Sequence, residues 1–396
     1  MLDKPFDQID KAYVESLIAD EVVEAKHLDY KEILPGDTDK EKNRFVEDVC
    51  AFANAAGGDI FFGLRDKRDA EGQKTGAPEY IGLTTGLSFD QTKLRLGDII
   101  LHKVEPRISG VQFRLIEGFA DGPVLVMRIP RSFNAPHMTI HDGRFRTRVD
   151  SKNHPMDVQE IRSAFVASEA LPERIRQFRA GRLAQIVAGE TPVPLHNEPK
   201  IVLHLLPVSS FGERTMYDVT LARQGPATLV PMQGSSPSLR YNLDGLLSYV
   251  GPGGGVAAWT YAQLYRDGRV EAVDASWIQS SGEKRTLGKG FEKVVVEAMK
   301  VYLATQKALG VETPILAMLS FLGVRGCVIG GADSVYARQG EDGVDRDDLV
   351  ISEIVIEEFG CAIEKCMRPA FDAVWMACGW PGSGNYDKDG NWKAPY

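Results

Sequence analysis

Asp29 and Lys31 stand two residues apart in the run EAKHLDYKEIL. The flanking Leu28 and Tyr30 predict a strand over residues 27–33, with those two side chains together on one face and Asp29 and Lys31 on the other. A carboxylate and an ammonium on one face can hold a divalent cation and a phosphate oxygen together. The cation takes oxygen ligands and neutralises developing charge, while the lysine stabilises the phosphate or orients water. Glu24 lies five residues before Asp29 and would face the other way on an unbroken strand, so it joins only if residues 25–27 turn or bulge. Asp66 follows an expected strand over residues 59–64, where a strand end could deliver a third carboxylate. The same acid–lysine spacing also fits an ordinary solvated strand face, and structural ion pairs mimic sites.

The elements that must position these groups are an alternation of short strands and amphipathic helices. A helix is expected over residues 41–56, where Phe45, Val49, Phe52 and Ala53 recur at helical spacing, and Gly57–Gly58 stop it. A short helix is expected over residues 11–23, and strands over 111–116, 124–129 and 145–148. Two helices, 156–167 and 172–188, follow. The second carries Arg174, Arg176, Arg179 and Arg182, which read as solvated. Prolines and a glycine mark a linker over residues 189–199. The second half reads as strands at 201–207, 216–222, 259–266 and 270–278, a loose glycine turn at 251–255, a helix over 288–309 and a second one over 355–378 kinked at Pro369. The apolar stretch 313–331 holds Arg325 and several glycines and reads as a pair of buried strands rather than a membrane span.

The ordered set E-x4-DYK, then AFANAAGG-D-IFFGLRD, closely resembles the signature of the Schlafen AlbA-like family. Gly82–Leu83, the Pro106 region, VLVMRIPRS, Pro136, GRFRTRVD and MDVQEI fit in the right order, so the resemblance covers residues 14–168. It implies an α/β (α+β) fold with a mixed-sheet AlbA-like nucleic-acid-handling domain over residues 1–170; the residue pattern alone adds a basic helix and linker over 171–199, a second α+β domain over 200–380 and a loose tail over 381–396. It also implies a homodimer, because animal relatives carry two such lobes in one chain forming a clamp. Relatives with RNase activity use three acidic residues, which fall here on Glu24, Asp29 and Asp66 as ligands for Mg²⁺ or Mn²⁺, with Lys31 beside them. The chain has Asp at the second of these positions, where Glu, one methylene longer, is commoner. The zinc-binding Cys/His cluster of the animal proteins has no counterpart here.

Arg144, Arg146 and Arg148 alternate on one strand face. With Arg131 they are the expected phosphate contacts, unless they form a solvated face paired with acids. A net charge of −9 excludes binding of nucleic acid by bulk positive charge and leaves only a local basic surface. The five cysteines form no CxxC pair, and the polar first eleven residues carry no leader, so a soluble cytoplasmic protein is expected. His137 and His141 have the spacing of helix-borne metal ligands, but Pro136 before them and Asp142–Gly143 after them make them loop residues. No GK[ST] follows the glycine run, and no complete P-loop occurs. Three functions follow. The first is a metal-dependent endoribonuclease on structured RNA such as tRNA, with a defence role against phage in related prokaryotic proteins. The second is a non-catalytic DNA-binding regulator or ATP-binding protein. The third is a structural subunit whose site has decayed. Carboxylates gathered at one point favour the first, scattered carboxylates with an intact basic face the second, and a charge-neutral groove the third.

Overall fold

The computed structural model describes residues 4, 6–212, 215–223, 228–234, 236–252, 255–281, 284–330 and 343–393. Contacts divide them into two compact units, Met1–Ile175 and Arg176–Tyr396. The fold is α+β, and each unit holds its own sheets and core.

The first unit runs α1 (Lys11–Ala19), β1 (Leu28–Lys31), α2 (Asp39–Asn54), β2 (Gly58–Phe62), β3 (Leu64–Arg68), β4 (Lys74–Tyr80), α3 (Phe89–Lys103), β5 (Val104–Glu105), β6 (Gln112–Ile116), β7 (Val124–Ile129), β8 (Met138–Thr139), β9 (Arg144–Val149) and β10 (Lys152–Pro155). Its main sheet has the order β1-β2-β7-β6, with β1 and β2 parallel and the other pairs antiparallel. A parallel pair needs a crossover, and α2 supplies it. Thr38 caps α2 by accepting from the Glu41 N–H. Gly57 ends the turn after α2 at φ +71°, and a Cβ on Gly58 would stand 2.5 Å from His27 O, so that residue must be glycine. One sheet face buries Leu28, Tyr30, Phe61 and Val126 against Val14 and Leu17 of α1. The other buries Ile60, Phe62, Leu125 and Met127 against Phe45, Val49 and Phe52 of α2 and Leu96 and Ile99 of α3. In register, Asp29 pairs with Ile60 and Lys31 with Phe62, so the acid and the lysine face α2. A second sheet, β10-β9-β8-β5, packs β9 on α2, and β3 and β4 form a separate hairpin.

A single helix, α4 (Val158–Val187), replaces the two expected ones. Pro172 lies inside it: the ring removes one hydrogen bond but does not end the helix. The division between the units falls inside α4 rather than in residues 189–199.

The second unit continues with β11 (Lys200–Pro207), β12 (Ser238–Tyr241), β13 (Gly245–Val250), β14 (Thr260–Tyr265), β15 (Val270–Asp274), β16 (Ile278–Ser281), β17 (Lys284–Gly288), α5 (Phe291–Ala308), β18 (Ile315–Leu322), β19 (Cys327–Gly330), β20 (Leu349–Val350), β21 (Ile354–Ile356) and α6 (Ile363–Ala377). The large sheet has the order β12-β13-β14-β15-β11-β18-β20, with β21 also on β18, and α5 and α6 cover one face. The arginines expected to be solvated include two anchors, Arg179 buried and Arg182 half-buried. Arg179 donates to Leu319 O and Ile351 O, each at 2.6 Å, and Arg182 forms a two-pronged pair with buried Glu271 at 2.8 Å. The strand expected at 216–222 is a 3-10 turn, Val219–Arg223, and the start of the helix expected at 355–378 is β21. The strands of the 313–331 stretch do not pair with each other: β18 joins the large sheet, β19 joins β17, and residue 331 lies outside the described residues. Within the glycine run between β13 and β14, residues 253–254 also lie outside them. The tail expected to be loose is anchored, since Asn385 and Tyr386 are buried and Trp392 packs against the core. No described helix is long and apolar enough to cross a membrane.

Candidate active site

The chain turns sharply before β1. The Ala25 N–H donates to Leu28 O at 3.0 Å and the Leu28 N–H to Ala25 O at 3.1 Å, a closed turn that reverses the backbone over residues 25–28. This is the turn that Glu24 needs. Its Oε1 accepts from the Tyr30 N–H at 3.0 Å, and its carboxyl group lies beside that of Asp29. Burial and the neighbouring Asp29 carboxylate push Glu24 up to about 7. Asp29 is buried too, which alone would raise it, but Lys31 and Arg148 outweigh burial and hold it below the ordinary carboxylate value. Of the two acids, Glu24 is therefore the one that takes up a proton first as pH falls.

Lys31 Nζ stands 2.6 Å from Asp29 Oδ2 and 3.1 Å from Asp48 Oδ2 on α2. Burial pushes Asp48 up, with Asp29 adding to the effect and Lys31 opposing it. Asn153 on β10 donates from Nδ2 to Asp48 Oδ1 at 2.5 Å and accepts from Arg148 Nη1 at 3.1 Å. Arg148 Nη2 is 3.3 Å from Asp29 Oδ1, with its guanidinium over the Phe52 ring at 4.5 Å. Asp66, on β3, accepts from the Gly76 N–H at 2.7 Å and pairs with Lys74 at 3.2 Å. Glu24, Asp29, Lys31, Asp48, Asp66 and Arg148 line one cavity of about 940 Å³.

The structure thus brings Glu24, Asp29 and Lys31 into contact and sets Asp66 on the same cavity, without drawing the three acids into one tight cluster. Among the described residues, the trio of His, Cys, Asp or Glu side chains whose ligand atoms lie within 4.8 Å of one another is Glu47, His141 and Asp142. Arg146 already fills that trio, 3.2 Å from Glu47 and 2.5 Å from Asp142, and holds Asp142 low. The histidines lie on β8's flanks, not on a helix: His137 is buried with Nδ1 2.7 Å from Pro106 O.

The basic strand face turns inward. Arg146 and Arg148 are 8% and 2% exposed and face α2, so they are ion-pair partners rather than open phosphate contacts. Arg144 is exposed and Arg131 half-buried. Arg44, Arg65, Arg68 and Lys74, all exposed, are the cations at the open side of the acidic cavity, with Arg65 paired to Glu79 and Lys74 to Asp66. Sequence reasoning passed over them, and over Asp48 and Asn153. Asp48 had left a signal, being an acid inside the apolar stripe of α2 between Phe45 and Val49. Asn54 of the FANAAGG run is structural. Its amide donates to His137 O and Arg146 O at 2.8 Å, clamping β9 to the end of α2.

The donor set fits a hard divalent cation, with oxygen ligands only and two adjacent carboxyl groups, one of them buried. Glu24 and Asp29 are the residues that would hold it. Asp66 would join them only on release from Gly76 and Lys74.

Residues 24–157 match the family model described as Schlafen, AlbA_2. No curated protein matches the chain. Among solved structures, the chain is similar to the N-terminal domain of a RecG-related protein from Nitrosomonas europaea, whose name refers to an ATP-dependent DNA helicase. The identity is 17%, with 36% of this chain and 90% of that one covered at a TM-score of 0.27. It is also similar to the DIP2311 protein from Corynebacterium diphtheriae, at 21% identity, with 37% of this chain and 26% of that one covered at a TM-score of 0.26. From the turn that delivers Glu24 to the loop before α4, the first unit is therefore built around a Schlafen AlbA_2 domain, a domain of a nucleic-acid-related family.

Proposed function

We propose that the first unit binds RNA and cleaves it as a divalent-cation-dependent endoribonuclease. The observation that carries this reading is the turn at residues 25–28, which sets the Glu24 carboxyl on Asp29 beside Lys31 in a cavity lined by exposed arginines. A purely structural ion pair between Lys31 and Asp29 has no need of a second, half-buried acid set against it, whereas a cation site does. Glu24 and Asp29 would hold Mg²⁺ or Mn²⁺, which supplies charge neutralisation and water activation when bound. Lys31 points its ammonium at the same carboxylate and offsets negative charge on a phosphate oxygen brought there. Arg44 and Arg68 draw the RNA backbone to the cavity. RNA is preferred over DNA as the substrate on the strength of the family's RNase members, and a structured RNA such as tRNA suits a cavity rather than a flat face. Assembly as a homodimer would give two such lobes and a continuous basic groove on a chain of net charge −9. A defence role against phage would follow from such cleavage.

Purified full-length chain with mixed RNAs and Mg²⁺ or Mn²⁺, compared with EDTA, tests the reading. Cleavage that EDTA and Asp29→Asn both abolish, with RNA binding and melting temperature largely kept, is the expected result. Binding without cleavage under every cation would leave the non-catalytic binding module as the function.

A further inference from the structure

Lys31 places its ammonium between two buried carboxylates from different elements, Asp29 on β1 and Asp48 on α2, at 2.6 and 3.1 Å. Neither acid can swing away. Asp48 Oδ1 is held by Asn153 at 2.5 Å, Asn153 Oδ1 accepts from Arg148 at 3.1 Å, and Arg148 closes the circuit 3.3 Å from Asp29 Oδ1. Five side chains from β1, α2, β9 and β10 thus form a closed ring with one ammonium in its mouth. Asp29 and Asp48 are only 4% and 9% exposed, so a positive charge must sit between them for both to remain ionised.

Two fixed oxygens converging on one cation is the arrangement that hard divalent ions take. It lies directly beside the Glu24–Asp29 pair, with Asp29 common to both, as a bridging acid is in sites that hold two ions ~3.5–4 Å apart. We propose that Lys31 Nζ is the resident occupant of a second cation seat formed by Asp29 and Asp48, so that this domain takes one divalent ion, on Glu24 and Asp29, where the open ring would take two. The inference rests on the metal-dependent reading of the same cavity. A tethered ammonium wins the seat over a free ion for a physical reason. It is already delivered by β1, whereas Mg²⁺ must give up waters that it releases reluctantly.

The test is the number of Mn²⁺ ions bound per full-length chain, counted from the loss of the free-Mn²⁺ electron paramagnetic resonance signal. One ion is expected for the natural sequence, two for Lys31→Met, and one again for Lys31→Met with Asp48→Asn. Two ions on the natural sequence, or one on the natural sequence and still only one on Lys31→Met, overturn the second seat and leave the metal-dependent reading standing. No ion on the natural sequence but one on Lys31→Met keeps the seat and overturns the Glu24–Asp29 site. No ion on either protein overturns both. Should Lys31→Met fold poorly without metal, Mn²⁺ must restore its far-ultraviolet circular dichroism with two ions bound, and failure to do so also overturns the proposal.

Discussion

Glu24 and Asp66 are tied to the same residue of the β3–β4 hairpin: the Glu24 N–H donates to Gly76 O at 2.9 Å, and Asp66 Oδ1 accepts from the Gly76 N–H at 2.7 Å. The hairpin thereby sets how far apart the two acids stand across the cavity. Gly76 adopts φ +81°, while a Cβ there would meet Val23 only at an ordinary 3.5 Å. Gly76→Ala is therefore expected to cost conformational energy of ~1–2 kcal/mol without a clash. Urea melts should register that loss. RNA cleavage should fall more than RNA binding, because the acids are displaced and the exposed arginines are not.

The buried and exposed arginines should separate cleanly. Arg148→Met leaves Asp29 buried beside Glu24 without one of its two cations, and loss of a partner from a buried pair costs ~3–5 kcal/mol. Arg44→Gln should cost little stability but reduce the slope of log affinity for RNA against log salt by ~1. A salt slope unchanged in Arg44→Gln would return the phosphate-binding role to some other surface.

Protonation of Glu24 links stability to pH. Its folded value of about 7 lies above the ordinary 4.5, so the folded unit holds a proton that the unfolded chain loses between those limits. Stability from this group is full below about pH 4.5 and falls as pH rises towards 7. Glu24→Gln should flatten that part of the profile. At the proposed site a divalent ion would take the proton's place, so Mn²⁺ binding near pH 6.5 should release protons, measurable by calorimetry in buffers of different ionisation enthalpy. Mn²⁺ binding with no proton release would place the ion elsewhere.

Assembly is the fourth expectation. Light scattering of the full-length chain at micromolar concentration should give twice the chain mass, and a monomer there removes the two-lobed groove.

Much of the first unit was legible because its signals are local. The alternation around Asp29 gave β1 its faces, and the stripe of Phe45, Val49 and Phe52 ended by two glycines gave α2. The turn at residues 25–28 could only be stated as a condition, since a turn closed by two backbone hydrogen bonds leaves no periodicity. Helix α3 escaped notice: Leu96, Ile99 and Ile100 are buried, but polar side chains surround them and the cap is Ser88. The basic strand misled for the opposite reason. Alternation says that Arg144, Arg146 and Arg148 share a face, not whether that face meets water, and besides the local Asp142 the acids paired with it come from α2 and from β1, about 100 and 120 residues away in sequence. Asp48 and Asn153 are a pair only in three dimensions, 105 positions apart.

The closed turn between Ala25 and Leu28 separates the fate of the chemistry from the fate of the architecture. Inserting or deleting a single residue there would unhook Glu24 from Asp29 yet leave the β1–β2 register, which begins at the Leu28–Asp59 pair, untouched. A lineage could dismantle the proposed site in one mutational step and still inherit a fully folded domain, which would make the length of that turn a simple marker for sorting copies that keep the Glu24–Asp29 pair from copies that lack it.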